Sequence, residues 1–531
     1  MTETALQPLP LGTSDFVALR KANQIYVDKT ALIHQLACRR RKVFLTRPRR
    51  FGKSLFVSTF ATLFRDGLKS FSGLAIEKLW KDATYPVVEI DFSKVRGFEN
   101  FEDFENKVRS VTAGSFAKAG FVLDKRDESN WIRQISDWMQ ARPANSLVLL
   151  IDEYDAPYTA SLKDKVLLTQ IRECLSAFYA VIESNDACLR FAFMTGIIKF
   201  SQYGDFEELN NFTDISLDPA FGALAGFTDE DILRDFSGYL RRAGEALGMS
   251  PAEVHEALRE HYDGYCFDDE ASQHVYAPWS VLNFFSRPSR GFLNYWVRSG
   301  GAMTGLLKYL RSDILKAPSE YAKPQWVTYA DLKGSTDFDR INDLTLLMQA
   351  GYLTIKTRRG NSFRLGYPNK EVAVSLAELY CGQLLDNRDL AAVEADTIVP
   401  ALLEGDVKNL FESVNRAFAA LHYAKYPIAE EKSVQSCLQV FLAGAGFAVR
   451  CDTGGALDRS GLEVDAGKVH WVIELKFQRK RDSAVALLED AARQIRDRNY
   501  GATSSQPLIR AAAVFSEEKR AFVCWKNADT E

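Results

Sequence analysis

A basic segment at residues 43 to 55, VFLTRPRRFGKSL, combines the residue types that hold phosphate groups. Val43 to Thr46 has the apolar, β-branched character of a strand, and the residues from Ser54 onward are apolar at helical spacing. A loop between a strand and a helix N-terminus offers backbone N–H groups and the positive end of the helix dipole to an anion. In ATP binding, Lys53 would reach the β and γ phosphates and the Ser54 hydroxyl would hold Mg²⁺. The candidate nucleotide-binding residues of this segment are Arg47, Pro48, Arg49, Arg50, Phe51, Gly52, Lys53, Ser54 and Leu55.

The segment matches the phosphate-binding pattern G-x-x-x-x-G-K-[ST] incompletely. Arg47 stands where the first glycine is expected, whereas Gly52, Lys53 and Ser54 are in place. A solvated basic loop before a helix would look the same. The choice between the two interpretations depends on the strands that follow.

Two later apolar runs end in polar residues that suit phosphate chemistry. Leu147 to Ile151 predicts a strand buried on both faces, and Asp152 and Glu153 follow it. Ligands of open α/β sheets bind outside the carboxyl ends of the strands, so these acids would face the basic loop. Asp152 would hold Mg²⁺ through water and Glu153 would polarise the attacking water; a structural aspartate at a strand end is the alternative.

The next apolar run, residues 189 to 201, contains Thr195 and Lys199 near its end. We predict that Thr195 senses the γ-phosphate. Lys199 could supply positive charge to the same site, although a lysine in a loop usually has no such role.

A second constellation lies near the C-terminus, in the segment HWVIELKF. Glu474 and Lys476 are two residues apart, and therefore on one face of a strand. The carboxylate could bind a metal ion and the lysine could orient water. A metal site needs an upstream acid as well, and Asp458 and Asp465 are the two choices. If Ala466 and Gly467 form a hairpin turn, Asp458 lies opposite Glu474, whereas Asp465 is about 17 Å along the strand from it. We therefore prefer Asp458.

Composition fits a multidomain globular protein. The 531 residues exceed what one core accommodates, and 47% hydrophobic and 26% charged residues are ordinary values. A net charge of −4 argues against a uniformly basic nucleic-acid-binding surface. The eight cysteines form no C-x-x-C pair, and neither a signal peptide nor a run of 18 apolar residues is seen. We expect a cytoplasmic protein that does not contact membranes.

The order of the predicted elements gives three domains. Strands and helices alternate over residues 1–215, which predicts an α/β domain with a parallel sheet. Residues 216–390 are predicted to be helical and to contain a winged-helix-like hairpin, with strands at 352–356 and 363–365 and with Arg358 and Arg359 at the tip. Residues 391–531 give a second α/β domain, in which Tyr426 and Pro427 mark a boundary before the order helix, three strands, helix, two strands.

Separated motifs along the chain resemble one known family. They are PLGTSDF, YVDKT, LTRPRRFGKSL, IDEYDAP and MTGIIKFSQYGDFEELNNFTDIS. Together they resemble the bacterial and archaeal AAA-ATPase-like family of P-loop NTPases, whose members commonly carry a C-terminal PD-(D/E)xK nuclease domain. The resemblance implies an AAA/STAND-like core and a restriction-endonuclease-like αβββαβ domain. In that family an arginine is usual at the position of Arg47, and an arginine is also common where this chain has Lys199.

The resemblance also bears on the C-terminal residues. GALD, ending at Asp458, is similar to the family's G-R-x-D pattern, with Ala456 in place of the arginine. Glu431 matches an additional metal-binding acid, and Gln494 falls where a supporting polar residue is common. These residues imply a Mg²⁺ site formed by Glu431, Asp458 and Glu474, with Lys476 assisting hydrolysis.

Our hypothesis from the sequence is an ATP-hydrolysing switch fused to a Mg²⁺-dependent domain that cuts nucleic acid, DNA rather than RNA. By resemblance alone, such a fusion would suit defence against mobile DNA, and a homo-oligomer is left open. The alternative is a regulatory ATPase whose nuclease-like domain binds nucleic acid or a protein without cleavage.

Overall fold

The computed structural model divides the chain into two compact units. The first comprises Met1–Ile314 with Pro324–Asn369, and the second Leu315–Lys323 with Lys370–Glu531. The structure describes residues 6–162, 164–199, 211–298, 321, 324–333, 342–384, 395–421, 423, 427–451, 461–467, 469–497 and 507–529. The predicted division into three domains stays a prediction.

A parallel five-stranded sheet is the centre of the first unit. Its strands are β1 (Lys42–Thr46), β2 (Val87–Asp91), β3 (Leu147–Asp152), β4 (Leu189–Gly196) and β5 (Thr213–Asp214). They are arranged in the order β2-β3-β4-β1-β5, and every neighbouring pair is parallel. All six residues of β3 are buried, as its continuous apolar run predicts. The α/β class is thereby confirmed, and the sheet is consistent with a P-loop NTPase core.

The helices of this part of the chain are amphipathic and connect the strands. They are α1 (Phe16–Lys21), α2 (Thr30–Arg39), α3 (Lys53–Asp66), α4 (Phe101–Ala117), α5 (Trp131–Gln140), α6 (Ala156–Ser161) and α7 (Lys165–Ser184). Helix α3 follows β1 directly and packs on the sheet through Phe60 and Phe64, whose rings lie 5.0 and 5.2 Å from that of Phe191. This packing fixes the helix that begins at the basic loop.

A helical region follows the sheet in sequence. It contains α8 (Asp229–Asp235), α9 (Ser237–Leu247), α10 (Pro251–Tyr262), α11 (Pro278–Ser286) and α12 (Tyr295–Arg298). The N-terminus of α8 carries an N-cap at Thr228, in a capping box with Asp231. Ile25 and Val27 from the N-terminal segment belong to the same buried cluster as Phe236 and Phe285. The N-terminal segment is therefore packed on this region.

The predicted hairpin of the middle region is present, within a three-stranded antiparallel sheet. Its strands are β6 (Gln325–Thr328), β7 (Thr354–Arg359) and β8 (Ser362–Gly366), in the order β6-β8-β7, and its helices are α13 (Tyr329–Lys333) and α14 (Asp343–Ala350). Arg358 donates to the backbone carbonyl of Asp269 at 3.0 Å. At least this arginine of the hairpin thus makes a contact within the first unit.

The second unit contains a five-stranded sheet flanked by helices. Its elements are α15 (Lys370–Leu384), α16 (Ala395–Glu404), α17 (Val407–Ala419), α18 (Glu431–Gly444), β9 (Ala448–Cys451), β10 (Leu462–Asp465), β11 (His470–Gln478), α19 (Ala484–Asp497), β12 (Leu508–Ser516) and β13 (Ala521–Asn527). The strand order is β13-β12-β11-β10-β9. From α18 onward, the elements follow the predicted order. Assignment of this unit to a nuclease superfamily stays a prediction.

Candidate functional site

The basic loop between β1 and α3 is shaped as a phosphate-binding loop. Gly52 caps α3 with a φ of 85°, a conformation that favours glycine, and the helix begins at Lys53. The side chain of Lys53 is buried, and its Nζ donates to the backbone carbonyls of Arg47 and Pro48 at 2.9 and 3.0 Å. Burial lowers the pKa of Lys53, while the negative charge of Asp152 opposes this shift. The two hydrogen bonds thus hold the Lys53 amine against the backbone at the start of the loop.

Arg47 differs from the other basic residues of the loop, because its side chain turns away. The guanidinium is buried, and it donates to the backbone carbonyls of Thr46, Ser216 and Phe221 at 2.9, 2.8 and 3.2 Å. It also lies 4.4 Å from the ring centroid of Phe267. Burial lowers the pKa of Arg47 to about 9. Its φ is not positive, so the backbone at this position does not require the glycine of the usual pattern.

Ser54 and Asp152, predicted from the sequence to hold Mg²⁺ together, are brought together. Asp152 ends β3 and is 7% exposed. Burial raises its pKa to about 6, although a hydrogen bond from the Ser54 side chain favours the charged form. A hydroxyl and a carboxylate in contact at the start of α3 are oxygen ligands of the kind that Mg²⁺ prefers.

Glu153 follows Asp152 in an unusual backbone conformation. Its φ is 50°, and its N–H donates to Oδ1 of Asp152 at 3.0 Å. Its carboxylate forms an ion pair with Arg96, which sequence analysis did not single out. No motif marks Arg96, since it lies in the irregular segment after β2.

Thr195 lies at the carboxyl end of β4 and Lys199 just after it, and both are outside the cavity described below. Thr195 is fully buried opposite Leu45, and its hydroxyl has no hydrogen-bond partner within the described ranges. Lys199 is buried and pairs with Asp214 at 2.7 Å, so its charge is already balanced. The γ-phosphate-sensing role of Thr195 stays a prediction.

A cavity of about 490 Å³ opens onto the loop. Its wall includes the loop residues and two charged neighbours, namely Arg49, Arg50, Phe51, Gly52, Lys53, Ser54, Leu55, Arg96 and Glu153. A second, mostly apolar group in the wall includes Gly12, Tyr26, Val27, Phe227, Trp279 and Leu282. Arg47 and Lys199 line a separate cavity of about 210 Å³ instead. The larger one falls in the size range of ligand sites in proteins.

The apolar group in the cavity wall includes residues whose role sequence analysis missed. Trp279 lies in α11, a helix in which sequence analysis identified no site residue. Its ring stacks on the guanidinium of Arg50, 4.2 Å from the ring centroid. The motif PLGTSDF was recognised only as a family resemblance, and its Gly12 and Thr13 line the same cavity. Proximity of these segments depends on contacts between residues far apart in sequence.

In the second unit, the E-x-K residues lie on β11 and face α19. Glu474 is fully buried and Lys476 is partly buried, with a side chain 17% exposed and its Nζ 3.8 Å from Oε1 of Glu474. Lys476 also donates to Oε1 of Gln494 at 2.7 Å and lies 3.9 Å from Oδ2 of Asp490. Gln494, which the resemblance implied only as a supporting polar residue, thus lies within hydrogen-bonding distance of Lys476.

The strand register that favoured Asp458 is wrong. Ala466 is not a turn residue, because its N–H donates to the carbonyl of Val469 and the turn begins after it. Asp465 consequently pairs with His470 and Leu462 with Ile473. One further step of the same register reaches Gly461, not Asp458, beside Glu474. Asp465 stays four residues along the strand from Glu474, too far to share a metal ion with it.

The structure treats the other two predicted metal ligands, Asp458 and Glu431, differently. Asp458 lies outside the described residues, so its role stays a prediction without the support of the register. Glu431 is the first residue of α18. Within the described ranges, no three His, Cys, Asp or Glu side chains are grouped so that they could hold a metal ion. A magnesium site in the second unit is therefore a proposal only.

None of the helices described in the structure is both long and apolar enough to cross a membrane.

Comparison with known proteins identifies the N-terminal part of the chain. Residues 10–206 match the model of a predicted AAA-ATPase family, and this segment contains the loop, Asp152, Glu153 and Thr195. An uncharacterised protein in the vnfD 5′ region of Azotobacter chroococcum mcd 1 is 30% identical over 528 residues, covering 97% of this chain and 98% of the relative.

Among solved structures, the crystal structure of Cdc6p from Pyrobaculum aerophilum shows 13% identity and a TM-score of 0.26, covering 68% of this chain and 97% of the other. Nothing about this chain follows from so weak a structural similarity. The sequence comparisons show that the chain belongs to the same family as the Azotobacter protein, with an AAA-ATPase-like domain in its N-terminal region.

Proposed function

We propose that the first unit binds Mg²⁺-ATP in the 490 Å³ cavity and hydrolyses it. The observation that carries the proposal is the convergence of Lys53, the Ser54–Asp152 pair and Glu153 on the N-terminus of one helix. The match to a predicted AAA-ATPase family supports an ATPase function.

Each group has a distinct part in this proposal. The loop amides and Lys53 would bind the β and γ phosphates. Ser54 and Asp152 would hold Mg²⁺, which neutralises charge on the phosphates. Glu153 would accept a proton from water as the water oxygen bonds to the γ-phosphorus and the bond to the β–γ bridging oxygen breaks. The products are ADP and phosphate.

The apolar residues of the cavity wall favour a nucleotide over a simple polyphosphate. Tyr26 and Trp279 offer aromatic surface, and Val27 and Leu282 offer aliphatic surface. A purine base would bury its faces there.

The test is ATP binding and phosphate release by the full chain with Mg²⁺. We expect Lys53→Ala to weaken binding, and Glu153→Gln to bind ATP but to lose at least 100-fold in turnover. Lys118→Ala, an exposed lysine after α4, is the matched control and should behave as the wild type. A wild-type protein that is folded and takes up neither ATP nor ADP would refute the proposal.

For the second unit we propose an action on nucleic acid, with metal-dependent cleavage as the first candidate. The contact of Lys476 with both Gln494 and Glu474 supports it. Gly461 at the register position beside Glu474 favours the alternative, which is binding without cleavage. Plasmid DNA cleavage with Mg²⁺ or Mn²⁺ that is lost in Glu474→Ala would support cleavage, and no cleavage of DNA or RNA by either protein would exclude it.

A further inference from the structure

The ion pair between Arg96 and Glu153 lies in the wall of the proposed nucleotide cavity. Their side chains are 34% and 24% exposed, so both can meet a ligand. The guanidinium of Arg96 donates to Oε2 of Glu153. In this arrangement that carboxylate oxygen is occupied by Arg96 and is not open to a hydrogen bond from water.

The backbone fixes where the carboxylate of Glu153 can go. Its positive φ is uncommon for a glutamate, and such conformations concentrate at functional sites. The peptide on each side is held, because the N–H of Glu153 donates to Asp152 and the N–H of Tyr154 donates to the carbonyl of Thr195 at 3.1 Å. Only the side chain is left to move.

Apart from the ion pair of its side chain with Glu153, Arg96 is held through the backbone of its neighbours. Val95 is fully buried, and its N–H donates to the carbonyl of Phe92 at 2.9 Å. On the other side, the carbonyl of Gly97 accepts from Nζ of Lys107 at 2.9 Å. The backbone of Arg96 is therefore fixed at the cavity wall, and its guanidinium can exchange one hydrogen-bond partner for another without a change of fold.

We propose that Arg96 is a positioning residue that detects the γ-phosphate: it holds Glu153 in the ion pair and transfers to the γ-phosphate oxygens when ATP fills the cavity. The transfer releases the carboxylate to accept the proton of the attacking water. ADP lacks the γ-phosphate and leaves the ion pair in place. This inference rests on the proposed nucleotide site and adds to it a means of distinguishing ATP from ADP.

The first experiment compares the affinities of the full chain for adenylyl-imidodiphosphate and ADP, both with Mg²⁺, by calorimetry. We expect Arg96→Gln to weaken binding of the triphosphate analogue about tenfold and to leave ADP binding unchanged, since ADP never meets the guanidinium. Arg96→Lys should recover part of the loss. The control is Arg65→Gln, which removes a comparable surface ion pair, that with Glu89, outside the cavity.

The second experiment tests the exchange of partners with a double-mutant cycle. Glu153→Gln releases Arg96, so it should tighten binding of the analogue several-fold more when Arg96 is present than in the Arg96→Gln background. Equal weakening of ADP and analogue by Arg96→Gln, or additive effects in the cycle, would show that the ion pair is only structural. If the wild type binds neither nucleotide, the proposed function fails and this inference with it.

Discussion

Restoring the missing glycine of the phosphate-binding pattern should damage the protein. In Arg47→Gly, the buried carbonyls of Thr46, Ser216 and Phe221 lose a donor. Each unsatisfied acceptor costs about 1–3 kcal/mol. Loss of the contact with Phe267 adds about 1–2 kcal/mol, and the flexibility of glycine adds about 0.5–1 kcal/mol.

Two effects reduce this loss. Removing a buried guanidinium recovers several kcal/mol of desolvation penalty. The adjoining cavity of about 210 Å³ could also admit water to some of the carbonyls. We therefore expect a net loss of about 3–5 kcal/mol in the free energy of unfolding, a large part of the stability of an ordinary domain.

The assay is urea unfolding of the full chain, followed by tryptophan fluorescence, with the change read in the transition that the substitution shifts. Arg50→Gly is the matched control in the same loop. Arg50 has a φ of 67°, so glycine relieves backbone strain there while the contact with Trp279 is lost, and the two effects should nearly cancel. An Arg47→Gly protein within about 0.5 kcal/mol of the wild type would refute the anchoring role of Arg47.

Three further predictions concern the same unit. Because the pKa of Asp152 is raised to about 6, Mg²⁺-dependent ATP binding should fall about tenfold per pH unit below 6, and titration of Asp152→Asn should show no such dependence. In unfolding measurements the sign is opposite, since the cost of burying the charged Asp152 is complete above pH 6 and disappears as the pH falls toward its usual pKa of 3.8. Gly196→Ala should lower the melting temperature by several degrees, because its Cβ would meet Oδ1 of Asp155 at 2.5 Å, whereas Gly114→Ala in α4 meets nothing within 4 Å and should not destabilise. Trp279→Ala should weaken ATP binding about tenfold in calorimetry while leaving tripolyphosphate binding unchanged, if the base lies against the indole.

Features encoded locally were predictable from the sequence. The buried strand β3 was visible as five consecutive apolar residues, and the start of α8 as a threonine followed by three acids. Both depend on neighbours within one turn or one strand. The proximity of Ser54 to Asp152 was also predictable, since parallel strands bring their carboxyl ends to one edge.

Features that depend on residues far apart in sequence were not predictable. The direction of the Arg47 side chain is set by Ser216, Phe221 and Phe267, and the sequence around residue 47 gives no sign of these contacts. The register of β10 against β11 failed for a related reason. A hairpin register follows from the position of the turn, and the bond from Ala466 to Val469 shows that the turn begins after Ala466 and not at it.

The basic residues around the loop have two different roles: some line the nucleotide cavity, and others stabilise the surrounding backbone. Lys53 and Arg96 line the cavity, whereas the Arg47 side chain donates to backbone carbonyls outside it. The same residue, Arg47, presents its own carbonyl to Nζ of Lys53. Phosphates that draw Lys53 away would therefore remove a bond from the residue whose side chain holds the segment after β5.

Pro48 extends this link to the middle of the chain. Its carbonyl also accepts from Lys53, and its ring lies so close to Gly351 that an added Cβ there would meet Pro48 at 2.8 Å. Gly351 ends α14, directly before the hairpin of β7 and β8. Lys53 is thus connected through two adjacent peptides to the segment after β5 and to the end of α14. Arg47 and Pro48 are not among the residues that line the proposed nucleotide cavity. Arg47→Gly should therefore weaken ATP binding only indirectly, by disturbing the backbone carbonyls that hold Lys53.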